Sequence, residues 1–182
     1  GILITHGHLD HTGALPYVLE DLGFPPIYAG QYANALINER LKEAELDSKT
    51  TLINVHRNEE LQLGHFKVTF IGVTHSIPNS FTIFVESPKG NIFFSGDYKM
   101  DPTPANEPAT DAEALLKIQG TINMALMEST NAEREGTALS DEVVAENLES
   151  FIEKATGRVV VAAFASLVSR LYSLIQIAQK TN

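Results

Sequence analysis

A chain of 182 residues with 43% apolar and 20% charged side chains has the make-up of an ordinary globular protein, long enough for one sizeable core or for one domain and part of another. The absence of cysteine excludes disulfides and thiolate metal sites, and no apolar run approaches the roughly 20 residues of a membrane span, so the expected setting is cytoplasmic. A net charge of −10 argues at first sight against a polyanionic partner, but bound divalent ions invert the field where they sit, and much of the acidity lies in 107–113 and 142–153, which read as solvated faces.

Residues 2–5 (Ile2-Leu3-Ile4-Thr5) read as a buried strand, followed by a helix over 14–22 that Gly23 and the Pro25-Pro26 pair stop. A short strand at 27–29 leads into an amphipathic helix over 31–46, with Ala33, Leu36, Ile37, Leu41 and Ala44 as its apolar positions. The period then changes to two. Residues 51–56, 59–63, 66–74, 81–87 and 91–95 read as consecutive strands, with Arg57-Asn58, Gly64-His65 and Pro88-Lys89-Gly90 as antiparallel connections. A short helix over 111–118 and a buried strand over 122–127 follow. Ser140 opens a helix with Glu142 and Glu146 near its start and Lys154 near its end, as the helix dipole favours. After Gly157 come a buried strand over 159–164 and a final helix over 167–178. The alternation predicts an α/β fold, and the polar stretch 132–139 marks a junction between a domain at 1–135 and another at 136–182.

The chemistry concentrates where the first strand meets the first helix. The run His6-Gly7-His8-Leu9-Asp10-His11 packs three imidazoles and a carboxylate into six residues. If this loop stays extended, His6, His8 and Asp10 share one side and His11 projects differently, so that an imidazole pair and a carboxylate–imidazole pair face two adjacent metal ions. Neutral imidazole and carboxylate suit zinc best, with manganese or iron as alternatives. The motif alone leaves those ions short of ligands, and three strand ends supply candidates: His75 after the strand at 66–74, Asp97 after Gly96, and Glu128 after the strand at 122–127. His75 and Asp97 are expected to ligate, and Glu128 to steady a ligand by hydrogen bonding. His56 and His65 lie in the strand–turn region and read as surface or packing residues.

This order of motifs resembles the metallo-β-lactamase superfamily, more narrowly its β-CASP branch, and within that the ribonuclease J family. The stretches that carry the likeness are His6-Gly7-His8-Leu9-Asp10-His11-Thr12-Gly13, His75-Ser76-Ile77-Pro78-Asn79-Ser80, Gly96-Asp97-Tyr98-Lys99-Met100-Asp101, Glu128-Ser129-Thr130-Asn131-Ala132-Glu133-Arg134 and residues 157–166. The resemblance implies a partial αββα metallo-β-lactamase fold over 1–135, followed by the start of a β-CASP domain over 136–182. It implies one zinc held by His6, His8 and His75, a second held by Asp10 and His11, and Asp97 bridging both. Asp10, Asp97 and Glu128 are then the catalytic residues, Glu128 taking the place of the acidic residue that opens the β-CASP motifs, and Ser166 contacts the RNA backbone. Where the family has Asn and, two positions on, His after that serine, this chain has Leu167 and Ser169.

The implied activity is two-metal hydrolysis of phosphodiester bonds in single-stranded RNA, leaving 5′-phosphates, with no membrane partner and with a homo-oligomer left open. The family also carries an upstream aspartate and late histidines that 1–182 does not include. The expectation is therefore a piece of a longer protein, a ligand short at the second metal and a weak catalyst by itself. Two other readings stand beside this one: a hydrolase of the same fold acting on a small ester, thioester or lactam, and a non-catalytic RNA-binding remnant. The β-CASP-like stretch after Glu128 opposes the first, and the intact set of six ligands opposes the second.

Overall fold

The computed structural model describes residues 1–105 and 107–181. Two sheets pack face to face between helices. The first is parallel, in the order β1 (Ile2–Leu3), β2 (Ile27–Gly30), β3 (Leu52–Val55). The second runs β4 (Glu59–Leu63), β5 (Phe66–Val73), β6 (Ser80–Glu86), β7 (Ile92–Phe94), β8 (Met124–Leu126), antiparallel except for the parallel β7–β8 pair. The helices are α1 (Leu9–Thr12), α2 (Leu15–Val18), α3 (Gln31–Glu43), α4 (Ala112–Lys117), α5 (Asp141–Glu153) and α6 (Val168–Thr181).

Side-chain alternation along the strands builds the layers. On β5, Val68 and Phe70 face the first sheet and meet Val55, Phe81, Ile83, Leu3 and Tyr28. Ile71 points the other way, to Phe84, Phe93 and, at α4, Ala114, Leu115 and Ile118. On the far side of the first sheet, Ala33, Ile37 and Leu41, spaced four apart on α3, close over Ile27 and Ala29 together with Leu15 and Leu19. The order helix, sheet, sheet, helix is the expected αββα architecture.

Several expectations need correction. The helix expected over 14–22 shrinks to the single turn α2, and a further single turn, α1, forms before Gly13, so Asp10 and His11 lie on a helical turn rather than on extended chain. Helix α3 ends at Glu43 rather than residue 46, because Glu45 takes a left-handed conformation (φ 58°) that stops the ladder. Arg57-Asn58 is not a hairpin turn. It carries the chain from β3, in register with β2, to β4 in the other sheet, and hydrophobic alternation cannot say which sheet a strand joins. β8 forms where a buried strand is expected but sits exposed at the edge of its sheet. Residues 159–164 form no strand, join neither sheet of the described residues and are exposed. Among the described residues, no helix is long and apolar enough to cross a membrane.

Candidate metal centre

Each chemical side chain sits just beyond a strand end. β1 delivers His6 and His8, β5 delivers His75, β7 delivers Asp97 and β8 delivers Glu128. Gly96 makes the assembly close enough. Its φ is 57°, and a Cβ there would lie 2.8 Å from Thr5 Cβ, so only glycine lets the Asp97 loop turn against the His6 strand.

His6, His8, His75 and Asp97 each offer a donor atom within 4.8 Å of the others. His6 is fully buried, and its Nδ1 pairs with Thr5 Oγ1 at 3.0 Å. With Nδ1–H donating to that hydroxyl, Nε2 keeps its lone pair toward the cluster, where it is buried with no hydrogen-bond partner. His8 Nε2 lies 3.3 Å from the carbonyl of Ser166, which leaves His8 Nδ1 facing His75 Nε2 at 3.1 Å. Burial, reinforced by the neighbouring imidazoles of His11, His75 and His8, pushes the His6 pKa down to about 2. Burial and His8 push His75 down to about 4, against the opposing charges of Asp97 and Glu128. Both rings are therefore neutral at pH 7, the state a metal ligand needs.

Asp97 faces two groups of residues. Its Oδ2 lies 3.9 Å from His6 Nε2 and 3.8 Å from His75 Nε2, while its Oδ1 lies 3.4 Å from His11 Nε2. Asp10 Oδ2 is 3.6 Å from the same His11 nitrogen, with its side chain 79% exposed. The orphaned Nε2 of a fully buried histidine, next to two further imidazoles and a carboxylate, fits a divalent cation of the zinc type. Tetrahedral zinc ligands about 2.1 Å from the ion lie about 3.4 Å from one another, close to the spacings here.

Glu128 is half-buried at the rim of this cluster, near enough for its charge to act on His75. Its Oε2 accepts the N–H of Thr130 at 2.7 Å, so it also caps its own loop. Ser166 is brought to the cluster by its carbonyl, not by its hydroxyl. His56 and His65 are exposed and stand outside it. Sequence reasoning missed Thr5, whose only signal was its place directly before the first histidine. It also missed Lys99, Asp101 and Asp141, which form a partly buried ion network beside the Asp97 loop.

Residues 1–156 match the Metallo-beta-lactamase superfamily, and the chain belongs to that superfamily. Among individual proteins, it is 37% identical over 178 residues to Ribonuclease J of Mycoplasma genitalium, a match that covers 97% of this chain and 31% of that protein. It is 39% identical over 181 residues to Ribonuclease J 1 of Streptococcus pyogenes, covering 99% of this chain and 32% of the relative. The chain thus spans about a third of the length of the curated relatives it matches. Among solved structures, a protein of unknown function from Enterococcus faecalis superposes with a TM-score of 0.71 at 15% identity, over 96% of this chain and 44% of the other, which speaks for the fold alone.

Proposed function

We propose that this chain is part of a ribonuclease J-like hydrolase that cleaves phosphodiester bonds of single-stranded RNA with two zinc ions, in the cytoplasm. The observation that carries the reading is the split of the Asp97 carboxylate, one oxygen toward His6 and His75 and the other toward His11. In this reading His6, His8 and His75 hold one ion, Asp10 and His11 hold the second, and Asp97 belongs to both. Bound there, the pair of metals supplies Lewis acidity toward a phosphoryl oxygen and acidifies a water molecule at neutral pH.

The chain's own residues do the rest. Burial keeps His6 and His75 unprotonated, and Thr5 and the Ser166 carbonyl hold His6 and His8 in the tautomers that leave Nε2 and Nδ1 free. Asp97 would serve both ions and offset part of their charge. Glu128 adds negative charge on the His75 side of the cluster. The residual positive charge of such a centre attracts a phosphodiester despite the acidic total. Residues 1–135 then form part of the metallo-β-lactamase domain and 136–182 open a β-CASP domain, whose exposed Ser166 hydroxyl would meet the RNA backbone.

The test measures metal per chain by mass spectrometry and cleavage of 5′-phosphorylated single-stranded RNA, in the wild-type protein and in Asp97→Asn. The amide keeps the shape of Asp97 and removes its charge. Loss of metal and of cleavage in that variant is the expected result. Full metal content with unchanged cleavage would remove Asp97 from the shared position, and turnover of a chromogenic lactam in place of RNA would overturn the substrate.

A further inference from the structure

The helical unit formed by α5 and α6 is fastened to the sheets in a selective way. Among the described residues, the hydrogen bonds that join residues 140–181 to the rest of the chain land on His8, Ser76, Lys99, Asp101 and Thr103. These lie on the three loops that carry His8, His75 and Asp97. None lands on the strands or on the opposite end of the sandwich.

The strongest of these ties is ionic. Lys99 Nζ donates to Asp101 Oδ2 at 2.7 Å and to Asp141 Oδ1 at 2.6 Å. Asp101, with a side chain only 2% exposed, also accepts the backbone N–H of Asp141 on Oδ2 and that of Thr103 on Oδ1. Two carboxylates thus share one ammonium at the first turn of α5, whose free N–H groups help to balance the extra negative charge. The backbone of Lys99 is equally engaged. Its N–H donates to the carbonyl of Thr74 at 2.9 Å, one residue before His75. The Thr110 hydroxyl closes a ring, accepting from Thr74 N–H and donating to Lys99 C=O. One residue therefore stitches the His75 loop to the Asp97 loop and pins both to α5.

Buried ion networks contribute little net stability compared with apolar packing, but they fix orientation, because a misplaced partner leaves an unpaired charge. We infer that Lys99, Asp101 and Asp141 are positioning residues that set the Asp97 and His75 loops at metal-holding distance, so that the helical unit governs metal affinity from outside the ligand set. The inference rests on the metal reading of the cluster.

The experiment uses the full chain, stripped of metal, and titrates zinc against a chelating dye well below the melting temperature, with the melting temperature of the metal-free protein recorded alongside. Lys99→Met and Asp141→Asn are expected to weaken zinc binding by about 10–100-fold, and Lys99→Arg to restore most of it. Glu149→Gln, which breaks the exposed ion pair with Lys180 on the same helical unit, serves as control and leaves affinity unchanged. Unchanged zinc affinity in Lys99→Met and Asp141→Asn, with only the melting temperature lowered, would overturn the inference. Should either variant fail to fold, Asp141→Glu decides: it keeps the charge and lengthens the arm, and it either weakens zinc binding or refutes the positioning role. Asp97→Asn runs in the same titration. If it binds zinc normally, the metal reading itself fails, whatever the triad variants do.

Discussion

His8 Nδ1 and His75 Nε2 stand 3.1 Å apart although 67 residues separate them in the chain. With Nε2–H of His8 turned toward the Ser166 carbonyl, Nδ1 carries a lone pair. His75 meets that lone pair either as an N–H donor or across a shared cation. The two arrangements are tautomers of one neutral ring, so metal uptake should move the His75 proton from Nε2 to Nδ1 without releasing it.

The two halves of the cluster should separate by mutation. His75→Ala removes a ring from the group around His6 and is expected to strip mainly the first metal. His11→Ala acts on the side where Asp10 and Asp97 Oδ1 converge and should cost mainly the second. The second ion should be the weaker in the wild type too, because Asp10 is exposed and must be ordered on binding. Zinc content after graded dialysis checks both points, and equal loss of both ions in each variant would contradict the division.

Thr5 should matter as much as a ligand's neighbour can. Thr5→Val keeps the shape, leaves His6 Nδ1–H buried without an acceptor, and frees the ring to choose the wrong tautomer. Zinc affinity should fall about 10–100-fold, and the metal-free protein should lose about 1–3 kcal/mol of stability from the unpaired group. Thr5→Ser, which keeps the hydroxyl, should recover most of the affinity.

The metal-free protein should be acid-sensitive in a defined window. The folded pKa of His6 is lowered from 6.5 to about 2 and that of His75 to about 4, each chiefly by burial. A histidine held neutral in the folded state contributes its full share of stability above pH 6.5. That share is lost as the pH falls, toward about 4 for His75 and about 2 for His6, because the unfolded chain takes up the proton first. Denaturant midpoints of the metal-free protein should hold steady above pH 6.5 and decline below it. His75→Asn should make the decline shallower, and an unchanged slope would point to other groups.

The exposed apolar run Val159, Val160, Val161 and Phe164 has consequences in solution. An unpaired stretch rich in β-branched residues recruits strands from other copies. Val160→Lys, at a position 85% exposed, should reduce self-association without lowering the melting temperature. Sedimentation velocity over a concentration series reads the effect, and identical profiles for both proteins would exclude this run as the contact.

Local chemistry was readable directly from the chain. The density of His6, His8, Asp10 and His11 announces a metal loop, the apolar spacing on α3 announces its buried face, and glycine before Asp97 announces a sharp turn. All of these depend on residues within a few positions of one another, where side-chain type and backbone period suffice. Pairing was not readable in the same way. That β3 joins β2 while β4 joins β5, that 159–164 joins no sheet among the described residues, and that Asp10 sits on a helical turn follow from which surfaces meet, not from any local period. The same holds for the supporting partners. Lys99 and Asp101 are legible only as part of the stretch after Gly96, Asp141 carries no motif, and a separation of 40 positions hides the Asp101–Asp141 contact until α5 is docked. Which groups can bind a cation is written in the order of residues, because ligand chemistry belongs to side chains. Their distances, tautomers and neighbours come from folding, because burial and hydrogen-bond geometry exist only once distant strand ends have come together.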